Sequence, residues 1–265
     1  MKARNTITAA ALAASTTLAT AQSLTIEDFN SSASFDGSGQ VDWTVDGSSQ
    51  LFTQSFFYRA AGMDDEQNIS TLGLLDATIT DTNPFSDDRA DTLVQVFGDG
   101  SLQVETTFGL AGGTNGSGRA GLAEQIDITN TSTSTISFSF FQYVDFDLGG
   151  TTLDTGSIES GNTALQSDLD GTTSVSETVA TPAPDAFQMS EYPSIADLFG
   201  NGTVDTLDGS DSVAEGNVSW AFQWNLELAA GDTFQISKNK TLAPSPGSMA
   251  LLGMGGLFAA RRRRA

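Results

Sequence analysis

The chain has 265 residues, 33 of them acidic and 11 basic, for a net charge of −22. It contains no cysteine and no histidine, which excludes disulfides, Ser-His-Asp and Cys-His nucleophile systems, and His-ligated zinc, iron or copper centres. A charge of this sign also excludes nucleic acid and simple adsorption to anionic lipid, since both demand basic residues.

At the N-terminus, Lys2 and Arg4 precede an alanine-dominated apolar stretch from Ile7 to Leu18, and Ala19-Thr20-Ala21 follows before Gln22. Basic, apolar and small residues in that order have the layout of a secretory signal peptide over residues 1–21, cut between Ala21 and Gln22. The apolar part is far short of the roughly 20 residues that span a bilayer, so it is not read as a permanent anchor.

The body, residues 22–243, holds all the acidic residues but only Arg59, Arg89, Arg119, Lys238 and Lys240 as bases, a net −28. Such acidity keeps an exported protein soluble, and it also leaves room for divalent cations. Apolar residues recur with period two along it, the pattern of half-buried strands. Val41, Trp43 and Val45 share one face; so do Leu102, Val104, Thr106, Phe108 and Leu110. Ile136, Phe138, Phe140, Val144 and Phe146 make a third face, and Val218, Trp220, Phe222, Trp224, Leu226 and Leu228 a fourth. Turn clusters separate the runs, and Gly98-Asp99-Gly100 and Ala230-Gly231-Asp232 each predict a hairpin. The segment from Asp147 to Thr181 is polar and reads as a long loop or edge hairpin, while Tyr192 to Phe199 reads as a short helix opening at Pro193 and stopped by Gly200. Strands with little helix between them predict an all-β fold, a single antiparallel β-sandwich of jelly-roll or Greek-key type.

Without histidine or thiolate, no cofactor is expected except that calcium, an oxygen-liganded cation, is the leading ligand candidate. Its candidate ligands are Asp145, Asp147, Asp168, Asp170 and Asp208, although none of their spacings matches an EF-hand loop. Asp and Gly favour turns with or without a metal, so turn chemistry competes for the same residues. A carboxylate-pair glycosidase needs only two acids, and no local motif selects a pair here. Phe52, Phe56, Phe57 and Tyr58, with Arg59 beside them, fit either a core strand or a face that stacks on sugar rings.

The chain ends with Pro244-Ser245-Pro246, a wholly apolar or glycine segment from Met249 to Ala260, and Arg261, Arg262, Arg263 and Arg264. The arginines resist transfer across the membrane and would hold the segment's end in the cytoplasm. This tail, residues 244–265, resembles the PEP-CTERM sorting signal that exosortases recognise in certain Gram-negative and related bacteria, with Ser245 where the usual Glu stands between the prolines. The resemblance implies that the tail is cut and the body released or attached at the cell surface, often in species that make extracellular polysaccharide. Segments from Phe141 to Gly150, and from Trp220 to Trp224 followed by Ile236-Ser237-Lys238, resemble blocks in other exported proteins with this tail, and imply no activity.

Together these features predict an exported protein, transiently held at the inner membrane by its C-terminus alone and destined for the envelope or the extracellular matrix. Its processing partners would be signal peptidase and exosortase, with extracellular polysaccharide as a further partner. The role expected is non-enzymatic, structural or adhesive. The alternatives are a calcium- or polysaccharide-binding module and, third, the glycosidase.

Overall fold

The computed structural model describes residues 23–83 and 86–245. The expected signal peptide and all but the first two residues of the tail lie outside them. In chain order the strands are β1 (Leu24–Asp28), β2 (Ser31–Phe35), β3 (Gly39–Val45), β4 (Ser48–Ser49), β5 (Leu51–Ala60), β6 (Gln67–Asn68), β7 (Leu74–Thr80), β8 (Thr92–Gly98) and β9 (Leu102–Gly112). They continue as β10 (Ala120–Asn130), β11 (Ile136–Phe146), β12 (Asp154–Glu159), β13 (Thr163–Asp168), β14 (Thr173–Thr181), β15 (Ala186–Glu191), β16 (Ser212–Gly216), β17 (Val218–Leu228) and β18 (Thr233–Pro244). One short helix, α1 (Ser194–Leu198), and two 3-10 turns complete the described residues.

The strands pair antiparallel into two nine-stranded sheets. Sheet A runs β1-β2-β3-β5-β11-β17-β15, with β4 beside β3 and β6 beside β5; sheet B runs β16-β12-β13-β14-β18-β10-β9-β8-β7. The antiparallel sandwich expected from the alternation is therefore present. Every position from Leu102 to Leu110 assigned to one face of β9 is buried, as are the six inward positions of β17. Trp43, Phe56, Phe140, Phe146, Trp220 and Trp224 fill the space between the sheets, and Phe146 stacks on Trp220 with centroids 5.5 Å apart. Each such ring buries enough apolar surface to contribute about 2 kcal/mol or more.

Two sequence expectations change. The Gly98-Asp99-Gly100 hairpin joins β8 to β9, but Ala230-Gly231-Asp232 makes no hairpin: β17 belongs to sheet A and β18 to sheet B. That turn, exposed at the end of the sandwich, carries the chain from one sheet to the other. Alternation could not distinguish the two cases, because both strands face the same core. The polar segment from Asp147 to Thr181 is not a long loop; it holds β12, β13 and β14, of which β12 and β13 form a hairpin one strand in from the sheet edge, and its inward apolar side chains are Ile158, Ala164, Val175 and Val179. These small apolar residues gave a weak sequence signal for buried strands.

Glycine is demanded where β3 closes on β5. At Gly39, with φ +152°, a Cβ would collide with the main-chain oxygen of Gln54. The chain between α1 and β16 then crosses the outer face of sheet A as a strap. Phe199 at its start stacks on Phe57, centroids 4.6 Å apart, and meets Phe141 edge-on.

Candidate functional site

Beside this strap, the outer face of sheet A carries a row of polar side chains fixed across three strands. Arg59 on β5 is the register partner of Ser139 on β11, and Ser139 of Asn225 on β17. The Arg59 guanidinium donates to Glu66, to the Asp205 main-chain oxygen at 2.7 Å and to Ser139 Oγ at 3.3 Å. Ser139 Oγ in turn donates to Asn225 Oδ1 at 2.8 Å, and Gln223 Nε2 donates to the same oxygen at 2.9 Å. Arg59 also lies over the Phe141 ring, 5.6 Å from its centroid. The row floors an open cleft of about 530 Å³, rimmed by Met63, Val204 and Glu227. Val204 is 56% exposed there, an apolar edge beside a polar floor. A second cleft, about 480 Å³, lies by the β1–β2 turn against Asp46 and Arg89.

The interior holds a second polar group. Gln54 (β5), Gln142 (β11), Glu124 (β10), Glu177 (β14), Lys238 and Lys240 (β18) meet between the sheets, all buried. Glu124 bridges Lys238 and Lys240 and accepts from Gln54 Nε2 at 3.0 Å. Glu177 accepts from Lys238 at 2.9 Å, Gln142 at 2.7 Å and the Trp220 indole at 2.9 Å. Burial pushes Glu177 upward, but the two ammonium groups outweigh it and leave the carboxyl below its ordinary range. Burial likewise opposes the charge on Lys238, and the carboxylates of Glu124 and Glu177 reverse that, holding it charged. For Lys240, burial wins and its pKa falls.

The candidate calcium ligands are only partly brought together. Asp145 and Asp147 lie at the end of β11, and Asp168 is the register partner of Asp154 across β13 and β12. Burial, then the charge of Asp147, raises Asp145 to about 7; burial foremost raises Asp154 to about 7 and also raises Asp147. Asp168 is engaged in a turn, accepting from the Thr172 hydroxyl and from the main-chain N–H groups of Thr172 at 2.6 Å and Thr173 at 3.1 Å. Asp170 and Asp208 are exposed, and Asp208 caps its own turn by accepting from Ser210 N at 2.8 Å. Among the described residues no three acidic side chains are arranged to hold a metal ion. Of the aromatic group, Phe56 and Tyr58 are core, Phe57 lies under the strap and Phe52 is exposed.

No protein-family model matches the sequence, and no curated protein matches it. Solved structures do. The chain is similar to a bacterial glucoamylase complexed with acarbose, with TM-score 0.56 and 10% identity over 86% of this chain and 32% of that one. It is similar to an Escherichia coli K12 protein described as an aldose 1-epimerase, with TM-score 0.52 and 11% identity over 85% of this chain and 99% of that one. A protein of Synechocystis sp. PCC 6803 gives TM-score 0.52 and 12% identity over 84% and 96%. The chain thus spans about a third of the glucoamylase but nearly the whole of the other two. At these identities the likeness is one of fold. It overturns the expectation of a non-enzymatic, structural or adhesive protein, which rested on the missing histidine and cysteine, the lack of a catalytic motif and the sorting tail, because the architecture is one that the glucoamylase and the protein described as an aldose 1-epimerase also have.

Proposed function

We propose that the protein is carbohydrate-active and takes a sugar in the cleft on the outer face of sheet A. The observation that carries this reading is the Arg59–Ser139–Asn225 row, held rigid by three strands in a fold shared with sugar-active proteins. Sugar rings present hydroxyls on their edges and C–H groups on their faces. A floor of fixed donors and acceptors beside the apolar Met63 and Val204 suits both. Glu227 at the rim is exposed and is the carboxylate placed to exchange a proton with a bound sugar.

Delivery belongs to the same proposal: residues 1–21 direct export and residues 244–265 direct sorting, so the sugar would be met outside the cytoplasm. Calorimetric titration with a panel of mono- and oligosaccharides, with anomer interconversion followed by polarimetry, tests the reading. Saturable binding of at least one sugar is expected. A panel with neither binding nor turnover contradicts it.

A further inference from the structure

We propose that Lys240 and Gln54 react with each other to form an intramolecular isopeptide bond, which ties sheet B to sheet A through the core. The interior polar group supplies the parts of a transamidation. Lys240 Nζ, the nucleophile, lies against Gln54 Oε1 and Glu124 Oε1. The amide oxygen it would convert to an oxyanion already accepts from Gln142 Nε2 at 3.2 Å and Lys238 Nζ at 3.4 Å. Two donors on a carbonyl oxygen in a dry interior are what stabilises a tetrahedral intermediate. Glu124 spans both ends of the exchange: Oε1 accepts from the attacking amine, and Oε2 accepts from Gln54 Nε2, the departing nitrogen, at 3.0 Å.

The two lysines are not equivalent, and the difference assigns their roles. Lys238 is paired with Glu177 at 2.9 Å and stays charged, so it serves as an oxyanion donor. Lys240 stands 4.0 Å from Glu177, and burial disfavours its charge. Transfer of its proton to Glu124 leaves a neutral amine, the reactive form of lysine.

The step balances without an added reagent. The Lys240 Nζ lone pair attacks Gln54 Cδ, and the Nζ–Cδ bond forms as the carbonyl π pair moves onto Oε1. The oxyanion then collapses, the Cδ–Nε2 bond breaks, and Glu124 passes a proton to the leaving nitrogen. Glu124 takes the second amine proton in return, so that one ammonia departs and no atom is oxidised or reduced. In a chain without cysteine, which can form no disulfide, this bond would tie the two sheets covalently.

Tryptic mapping of the denatured full chain tests the proposal. The expected result is a pair of peptides, one containing Gln54 and one containing Lys240, joined and lighter than their sum by one ammonia, with no cleavage after Lys240. Lys240→Arg and Glu124→Gln should each yield only linear peptides of full mass. Should either variant fail to fold, the wild-type map still decides. Linear peptides from folded wild-type protein would overturn the proposal. So would a link through Lys238, or a loss of water showing that a carboxyl had reacted, and a link surviving in Glu124→Gln would remove the shuttle.

Discussion

Ser139 and Asn225 stand directly opposite each other across the β11–β17 pair, joined side chain to side chain at 2.8 Å. Cross-strand neighbours of this kind hold their positions through the sheet itself rather than through a loop. Arg59 extends the row to β5, and the strap meets it through the Asp205 main-chain oxygen and Glu66. The floor of the cleft is therefore fixed by the sheet, while Ala61 to Met63 and the strap form its rim.

The Arg59–Glu66 pair should dominate the stability of this corner. Glu66 is 2% exposed, so removing its partner strands a buried charge. Arg59→Ala should cost about 3–5 kcal/mol, and much of that should return in Arg59→Ala/Glu66→Gln. Urea denaturation of the two variants and the Glu66→Gln single completes the cycle. A double-variant loss equal to the sum of the two single losses would show that the pair is not coupled.

Phe199 should hold the strap down. Its ring lies on Phe57 and against Phe141, in a cluster separate from the main core. Phe199→Ala should cost about 3 kcal/mol. Amide exchange should rise across residues 192–211 while β11 and β17 keep their protection. Faster exchange throughout both sheets would mean that the strap is part of the main cooperative unit.

Stability should fall as pH rises toward neutrality. Asp145 and Asp154 keep their protons to about 7 in the folded state, whereas an unfolded Asp titrates near about 4. Between those values the folded state binds more protons than the unfolded chain. The stabilisation is therefore full below the unfolded pKa and is lost as pH rises through the folded one. Asp145→Asn and Asp154→Asn should each flatten the curve and raise the denaturation midpoint at pH 8. An unchanged pH slope in both variants would show that neither group is held protonated.

Processing is checked at the ends. Intact-mass analysis from the native host should find Gln22 as the first residue and no Arg261 to Arg264. Serine at those four positions should let the tail slip through the membrane uncut, as the rule of retained positive charge requires. A mature species that keeps the arginines would end the sorting account.

Much of the fold was legible because its strands obey alternation: the inward rows of β9, β11 and β17 can be read from the sequence alone. The interior polar group obeys the same rule. Gln142 sits at an inward position between Phe140 and Val144, Glu124 between Leu122 and Ile126, and Lys238 two residues after Ile236. A polar residue that interrupts an apolar row at the right parity is buried, and a buried charge needs a partner. What could not be read was the pairing. That Arg59, Ser139 and Asn225 share a row depends on strand order, which turn chemistry and period-two patterns leave open. The sheet change at Ala230-Gly231-Asp232 was hidden for the same reason.

The sugar-binding claim is tested most directly by following backbone amide shifts of the full chain as sugars are titrated in. The account predicts that at least one sugar produces saturable shifts concentrated at residues 59–63, 137–139 and 225–227, which line the cleft in sheet A. Shifts confined to the cleft by Asp46 and Arg89, or no shifts with any sugar, would contradict it.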